Sequence, residues 1–255
     1  METEHSLWVF ILLGFVAQMV DGSLGMAYGV TSNSLLMAFG IPPAAASSSV
    51  HMAEIITTAI SGFSHFKLGN INKQFVLRLV FTGIIGGVLG AYVLSNIDGS
   101  KLKPWIALYL LLMGVRILIK AIRFNKHKDD TPPVPGKVQM GVLGLFGGFF
   151  DAIGGGGWGP IVTTTLISNG HSPRETIGSV NFSEFFVTLA ESITFLILLA
   201  AISWHSVLGL IIGGAIAAPI GALFTKKIPV RLMLFLVSAL IIGLQIRQLL
   251  LSWVL

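Results

Sequence analysis

Asp21-Gly22-Ser23-Leu24-Gly25-Met26-Ala27-Tyr28-Gly29 and Asp151-Ala152-Ile153-Gly154-Gly155-Gly156-Gly157-Trp158-Gly159 decide how this chain is read. Each places an aspartate before a glycine-rich run, an aromatic residue and a closing glycine, all inside an apolar segment. The offset is 151 − 21 = 130, and it continues without a gap. Gly40 and Pro43 meet Gly170 and Pro173, while Ser49, Val50, Glu54 and Thr58 meet Ser179, Val180, Glu184 and Thr188. The chain reads as two copies of one unit, each with a break in an apolar segment followed by a helix that carries a carboxylate. In membrane proteins, duplicated halves with interrupted helices point to a transport site where the halves meet.

Composition sets the class. Of 255 residues, 54% are hydrophobic and only 11% charged, with a mean hydropathy of +0.86. A soluble domain usually carries about 25% charged residues. The expectation is an all-α integral membrane protein, multi-pass in the cell (plasma) membrane, with the lipid bilayer as its surroundings. The net charge is +5, yet the basic residues cluster in short loops: Lys120, Arg123, Lys126 and Lys128 in one, Lys226, Lys227 and Arg231 in another. That pattern belongs to cytoplasmic loops rather than to a nucleic-acid surface, so no nucleic-acid partner is expected. The chain has no cysteine, which excludes disulfides, thiolate nucleophiles and cysteine metal sites. No metal and no cofactor are expected. Glu2 and Glu4 precede the first apolar run without a basic region, so no signal peptide is read.

Along the chain, apolar segments are expected over residues 7–20, 30–39, 44–66, 74–94 and 104–122, and again over 138–150, 161–168, 174–200, 207–224 and 230–253. Residues 1–123 form the first membrane repeat, 124–137 a cytoplasmic linker rich in charge and proline, and 138–255 the second repeat. The two segments flanking each break total about 25–30 residues, enough for one span with an unwound middle or for a helical hairpin that returns to its own side. Each repeat is thus a broken helix or helical hairpin plus three transmembrane helices. Hairpins leave an odd number of full spans per half, which inverts the halves and puts Lys226, Lys227 and Arg231 on the linker's side. The positive-inside rule prefers this inverted arrangement, although Lys101 and Lys103 then fall outside, partly offset by Asp98. Trp8, Trp105, Trp204 and Trp253 fall at span ends, as in an aromatic belt.

Irregular backbone survives within a membrane only where it is buried in protein or lines a wet cavity. A break there presents the positive end of a half-helix, which suits a small anion. The candidate substrate-binding residues are Gly25, Gly29, Thr31, Ser32 and Asn33 in the first half, and Gly155, Gly156, Gly157 and Thr163 in the second. Ser49, His51 and Asn181 join them from the helices that follow. Ser47, His51, Glu54, Thr58, Ser61 and His65 share one helix face by their spacing, as do Asn181, Glu184, Thr188 and Glu191. An ionisable group within a span is costly and turns toward the interior or a cavity. Glu54 and Glu184, about ten residues into their helices, are therefore candidate proton carriers. Asp21 and Asp151 either cap the half-helix after the break or bind a coupling cation or proton. The bland alternatives are glycines that only let helices pack closely and glutamates that make one structural hydrogen bond.

The pattern resembles the sulfite exporter TauE/SafE family. The resemblance rests on the two breaks, on Gly40-Ile41-Pro42-Pro43-Ala44-Ala45-Ala46-Ser47-Ser48-Ser49-Val50-His51, and on Ser64-His65-Phe66-Lys67-Leu68-Gly69-Asn70-Ile71. It covers nearly the whole chain. It implies a transporter, not an enzyme, of small sulfur-containing or organic anions such as sulfite, sulfoacetate or thiosulfate, often acting as an exporter. With Glu54 and Glu184 as proton carriers, the reading is a secondary, proton-coupled exporter. A homo-oligomer is compatible with it. The first break departs from the pattern by having fewer glycines. Two other readings stay open: a passive anion channel, and an intramembrane hydrolase built on Ser47 and His51. The second copy carries Ile177 and Asn181 at those two positions.

Overall fold

The computed structural model describes residues 6–24, 26–123, 134–199, 202–224 and 230–254, and over these the chain is helical with no strand. Helix α1 (Leu7–Leu24) is followed by α2 (Tyr28–Ala38), α3 (Pro43–Lys67), α4 (Lys73–Asn96) and α5 (Gly99–Ile122). Helix α6 (Lys137–Gly154) precedes a π-helical turn, Gly159–Thr163, that runs directly into α7 (Thr164–Ser168). Helices α8 (Pro173–Leu198), α9 (Trp204–Phe224) and α10 (Val230–Val254) complete the chain. Among the described residues four stretches are long and apolar enough to cross a membrane: Lys73–Asn96, Lys101–Ile122, Glu175–Leu198 and Leu234–Leu251. Leu77 on α4 and Trp105 on α5 are exposed on the outer surface, as a helix facing lipid requires.

The turns follow local rules. After α2, Gly40 takes φ +85°, and the Gly40 and Ile41 N–H groups bond back to the Met37 and Leu36 carbonyls. After α7, Gly170 at φ +92° and His171 do the same with Ile167 and Leu166. This left-handed glycine closure satisfies carbonyls that a helix end leaves unpaired. Pro43 and Pro173 then open α3 and α8 at the position where a missing N–H costs nothing. Asn72 caps α4 by accepting from the Gln74 and Phe75 N–H groups.

Some boundaries correct the sequence reading. Helix α1 continues to Leu24 and α6 to Gly154, four residues beyond the expected ends. Asp21 and Asp151 therefore sit in the last turns of helices, and the second break is confined to residues 155–158. An internal glycine costs a helix only about 1 kcal/mol; the helix stops where Gly155 and Gly156 take φ +62° and +148°. Helix α5 starts at Gly99, ahead of Pro104, which it accommodates. Gly25, the 124–133 stretch of the expected linker, Lys226, Lys227 and the Trp253 side chain lie outside the described residues.

Glycines set the helix packing. Gly86 and Gly90 of α4 face the Leu145 and Phe149 carbonyls of α6, and Gly148 faces the Gly83 carbonyl, with no room for a Cβ at any of the three. Gly14 of α1 lies likewise against Leu210 of α9, and Gly213 of α9 against Ile11. Small residues let backbones approach in this way where the hydrophobic effect gives helices no reason to associate. The pairs Gly86–Leu145 and Gly90–Phe149 advance together, so α4 and α6 run in the same direction. Gly83–Val187 and Gly87–Glu191 make α8 parallel to α4. By contrast Ser61 meets Asn181 while His51 meets Glu191, so α3 and α8 run antiparallel through the centre.

Candidate functional site

Helix α3 reverses the usual pattern. Its buried residues include Ser47, Ser48, Ser49, His51, Glu54, Thr57 and Thr58. They are turned inward against α8 and the two breaks. Opposite them the breaks touch each other: Gly156 lies against the Gly29–Val30 backbone, and a Cβ on Gly29 would meet the Gly156 Cα, the Gly155 carbonyl oxygen and Glu54 Oε1. Irregular backbone from both halves is thus buried in protein at one point, as membrane physics demands.

The two breaks are closed in the same manner. Asp151 Oδ1 accepts from the Gly157 N–H at 2.5 Å and the Trp158 N–H at 2.9 Å. Asp21 Oδ1 accepts from the Tyr28 N–H at 3.3 Å. An aspartate at the end of one helix thus reaches across the gap and satisfies the first N–H groups of the next segment. The aromatic residue that follows anchors that segment: Tyr28 Oη donates to the Leu210 carbonyl, and Trp158 Nε1, wholly buried, donates to the Val180 carbonyl.

Where the breaks meet, they enclose a small cavity of about 20 Å³ to the centres of water-sized molecules, room for one or two waters. Four carboxyl groups line it: Asp21, Glu54, Asp151 and Glu184. Gly29, Gly156 and Asn181 line it as well. Of the other residues singled out by sequence, His51, Thr31, Ser32, Asn33, Ser49, Gly155, Gly157 and Thr163 are buried around the cavity without lining it. Several have structural engagements. Asn33 Nδ2 donates to the Gly154 carbonyl at 2.5 Å, tying α2 to the second break. Ser49 Oγ donates within its own helix, to the Ala45 carbonyl. The hydroxyls of Thr31, Ser32 and Thr163 find no acceptor among the described residues.

His51 is the hub behind the cavity. Its Nδ1 lies 3.1 Å from Glu54 Oε2 and 3.4 Å from Glu191 Oε2, its Nε2 lies 3.2 Å from the Asp151 carbonyl, and its ring stacks on Phe195. Glu191 is fully buried, in space that exists because Gly87 has no side chain. His51, Asp151 and Glu191 each bring one ligand atom to within 4.8 Å of the others, and could hold a metal ion. Spacing puts Glu191 on the same face as Asn181, Glu184 and Thr188, but its meeting with His51 does not follow from it. The 130-residue offset matches Glu191 to Ser61, so the first half has no equivalent carboxylate there. Ser47 Oγ donates to the Ala152 carbonyl at 2.5 Å and His51 is engaged elsewhere, so the serine–histidine pair that a hydrolase needs is not formed.

A second polar group lies on α5. Arg116 donates to Thr165 Oγ1 at 2.7 Å, and Lys120, one turn on, reaches the Met26 sulfur at 3.4 Å. Tyr109, two turns before Arg116, has its hydroxyl against Gly157.

The model of the family described as "Sulfite exporter TauE/SafE" matches residues 10–247. A relative from Bacillus subtilis (strain 168), "Probable membrane transporter protein YtnM", is 48% identical over 252 residues, covering 97% of this chain and 84% of the relative. A Sinorhizobium protein, "Probable membrane transporter protein ORF9", is 23% identical over 148 residues, covering 57% of this chain and 56% of that protein. No solved structure matches. A helical membrane protein with apposed helix breaks and relatives of this kind is a membrane transporter. The chain belongs to the sulfite exporter TauE/SafE family.

Proposed function

We propose that the chain is a multi-pass exporter of the cell membrane for small sulfur-containing or organic anions, such as sulfite, sulfoacetate or thiosulfate. Protons bound at Glu54 and Glu184 move in step with the anion. The observation that carries this reading is the apposition of the two breaks over one carboxyl-lined cavity. Electrostatics supports the coupling. Two like charges 4 Å apart repel by about 4 kcal/mol at an effective dielectric constant of 20. An anion therefore enters beside these carboxyls only when they hold protons. The cavity has room for water rather than for an oxyanion, so transport requires its walls to part.

The halves are read as inverted repeats, each with a hairpin. Adding 130 to the bounds of α1 gives those of α6, and adding it to the start of α3 gives the start of α8. Helices α3 and α8 are antiparallel, which supports inversion. Helices α6 and α8 both run parallel to α4, so the chain between them returns to the side where α6 began, which supports the hairpin. The substrate site is formed where the hairpins meet, from Gly29, Gly156, Asn181 and the first turn of α2, with Thr31, Ser32, Asn33, Ser49, His51, Gly155, Gly157 and Thr163 as its supports. Asp21 and Asp151 close the breaks, and their carboxyls share the cavity with the proton carriers.

The test uses purified protein in proteoliposomes, with sulfite, thiosulfate, sulfoacetate and chloride, each with and without an imposed pH gradient. We expect flux of the sulfur anions that responds to the gradient, and in Glu184→Gln a flux that no longer does. Flux of every anion, indifferent to the gradient, points instead to a passive channel. No flux of any sulfur anion removes the reading.

A further inference from the structure

Among the described residues, the lining of the carboxyl-lined cavity includes no lysine or arginine, so it offers an incoming anion no positively charged side chain of that kind. Among the described residues, close contacts between basic and acidic side chains include those of His51 with Glu54 and Glu191. Arg116 and Lys120 are half-buried, and neither has a carboxylate within ion-pair distance among those residues. An unpaired cation taken part-way out of water is costly, and costlier still inside a membrane, where such groups are seldom without a role. Two of them one turn apart repel each other as well. Arg116 commits one nitrogen to Thr165, while its Nε is buried without an acceptor. The Thr164 hydroxyl, 3.7 Å from the Met26 sulfur, lies beside the same group.

We propose that Arg116 and Lys120, with the hydroxyls of Thr164 and Thr165, form a binding station for an oxyanion, separated from the cavity by the Met26 side chain. Met26 touches Lys120 on one side and on the other packs against Gly159, which lines the cavity. The station lies near the end of α5 that leads into residues 124–133, so an anion coming from that side meets the cations before the carboxyls. The donor set selects the ligand. A guanidinium presents two parallel N–H groups that match two oxygens of one anion. The ammonium and the threonine hydroxyls suit a third oxygen. Three oxygens on one sulfur, as in sulfite or a sulfonate, use the whole set; chloride uses none of its geometry. The proposal rests on the anion-transport reading and adds where the anion binds first.

The experiment is equilibrium binding of radiolabelled sulfite to purified protein, with methanesulfonate, acetate and chloride as competitors. Parent protein is expected to bind sulfite and to be competed by methanesulfonate well before chloride. Arg116→Gln and Lys120→Gln are each expected to weaken sulfite binding about tenfold or more, the loss of a charge-assisted contact. Arg116→Lys keeps the charge and loses the fork, so its preference for sulfite over chloride is expected to shrink. Monodisperse elution and a parent-like unfolding temperature identify folded variants. Folded Arg116→Gln and Lys120→Gln proteins that bind and move sulfite like the parent overturn the station and leave the transport reading standing. A parent that neither binds nor moves any oxyanion overturns both.

Discussion

Replacing Gly156 by alanine is expected to unfold the junction between the two halves. At φ +148° a side chain is strained, at a cost of about 1–3 kcal/mol. The new methyl would also overlap the Val30 nitrogen and the Gly29 carbonyl carbon. Backbone on the opposing side cannot rotate away as a side chain can, so the two segments must separate. Overpacking of this kind adds about 1–3 kcal/mol or more. A combined loss of about 2–6 kcal/mol is large against the marginal stability of any domain. Thermal unfolding in detergent should show it as a fall of roughly 10 °C or more, together with loss of flux. A variant that melts with the parent would mean that the breaks do not touch. Gly40→Ala makes a useful contrast: it also has positive φ, but open space surrounds it, so it should lose only the strain.

Asp151→Ala is expected to be nearly as damaging, for a different reason. The Gly157 and Trp158 N–H groups would lose their acceptor while remaining buried. Each unsatisfied donor costs about 1–3 kcal/mol, so about 2–6 kcal/mol is at stake. Asp151→Asn retains a side-chain oxygen and should recover most of that stability. The pair of variants separates two roles that share one side chain. If Asp151 only closes the break, Asp151→Asn transports with the parent's response to pH. If it also carries a proton, Asp151→Asn folds and that response changes. An alanine variant as stable as the parent would remove the closure itself.

Much of this arrangement is legible in the chain. The two Asp-to-glycine stretches, the Gly–Pro turns and the run of polar residues at three- and four-residue spacing locate the breaks and the inward face of α3. These are local signals: glycine at positive φ, proline at a helix start, periodicity. The closure of the breaks is less legible. Ordinary capping looks three residues ahead, whereas Asp21 and Asp151 reach seven residues ahead, from the end of one helix to the start of the next. The anchoring roles of Tyr28 and Trp158 could have been noticed, since both Asp-to-glycine stretches keep an aromatic residue there. The meeting of Ser61 with Asn181, of His51 with Glu191, and of Arg116 with Thr165 depends on how distant helices cross. No spacing rule reports that. Glu191 illustrates the limit, because its space is made by Gly87, more than a hundred residues earlier.

The exchange of packing partners has a consequence for biogenesis. Helix α4 rests on α6, and α1 rests on α9, so each half lends a helix to the other. While the ribosome is still making the second half, α4 is in the bilayer with its glycine groove uncovered, and α1 waits until more than 180 residues later for the neighbour it fits. A truncated polypeptide ending at residue 123 should therefore be cleared by membrane proteases, and co-synthesis of the remainder should rescue it. Survival of that fragment by itself would show that neither portion needs the other to mature.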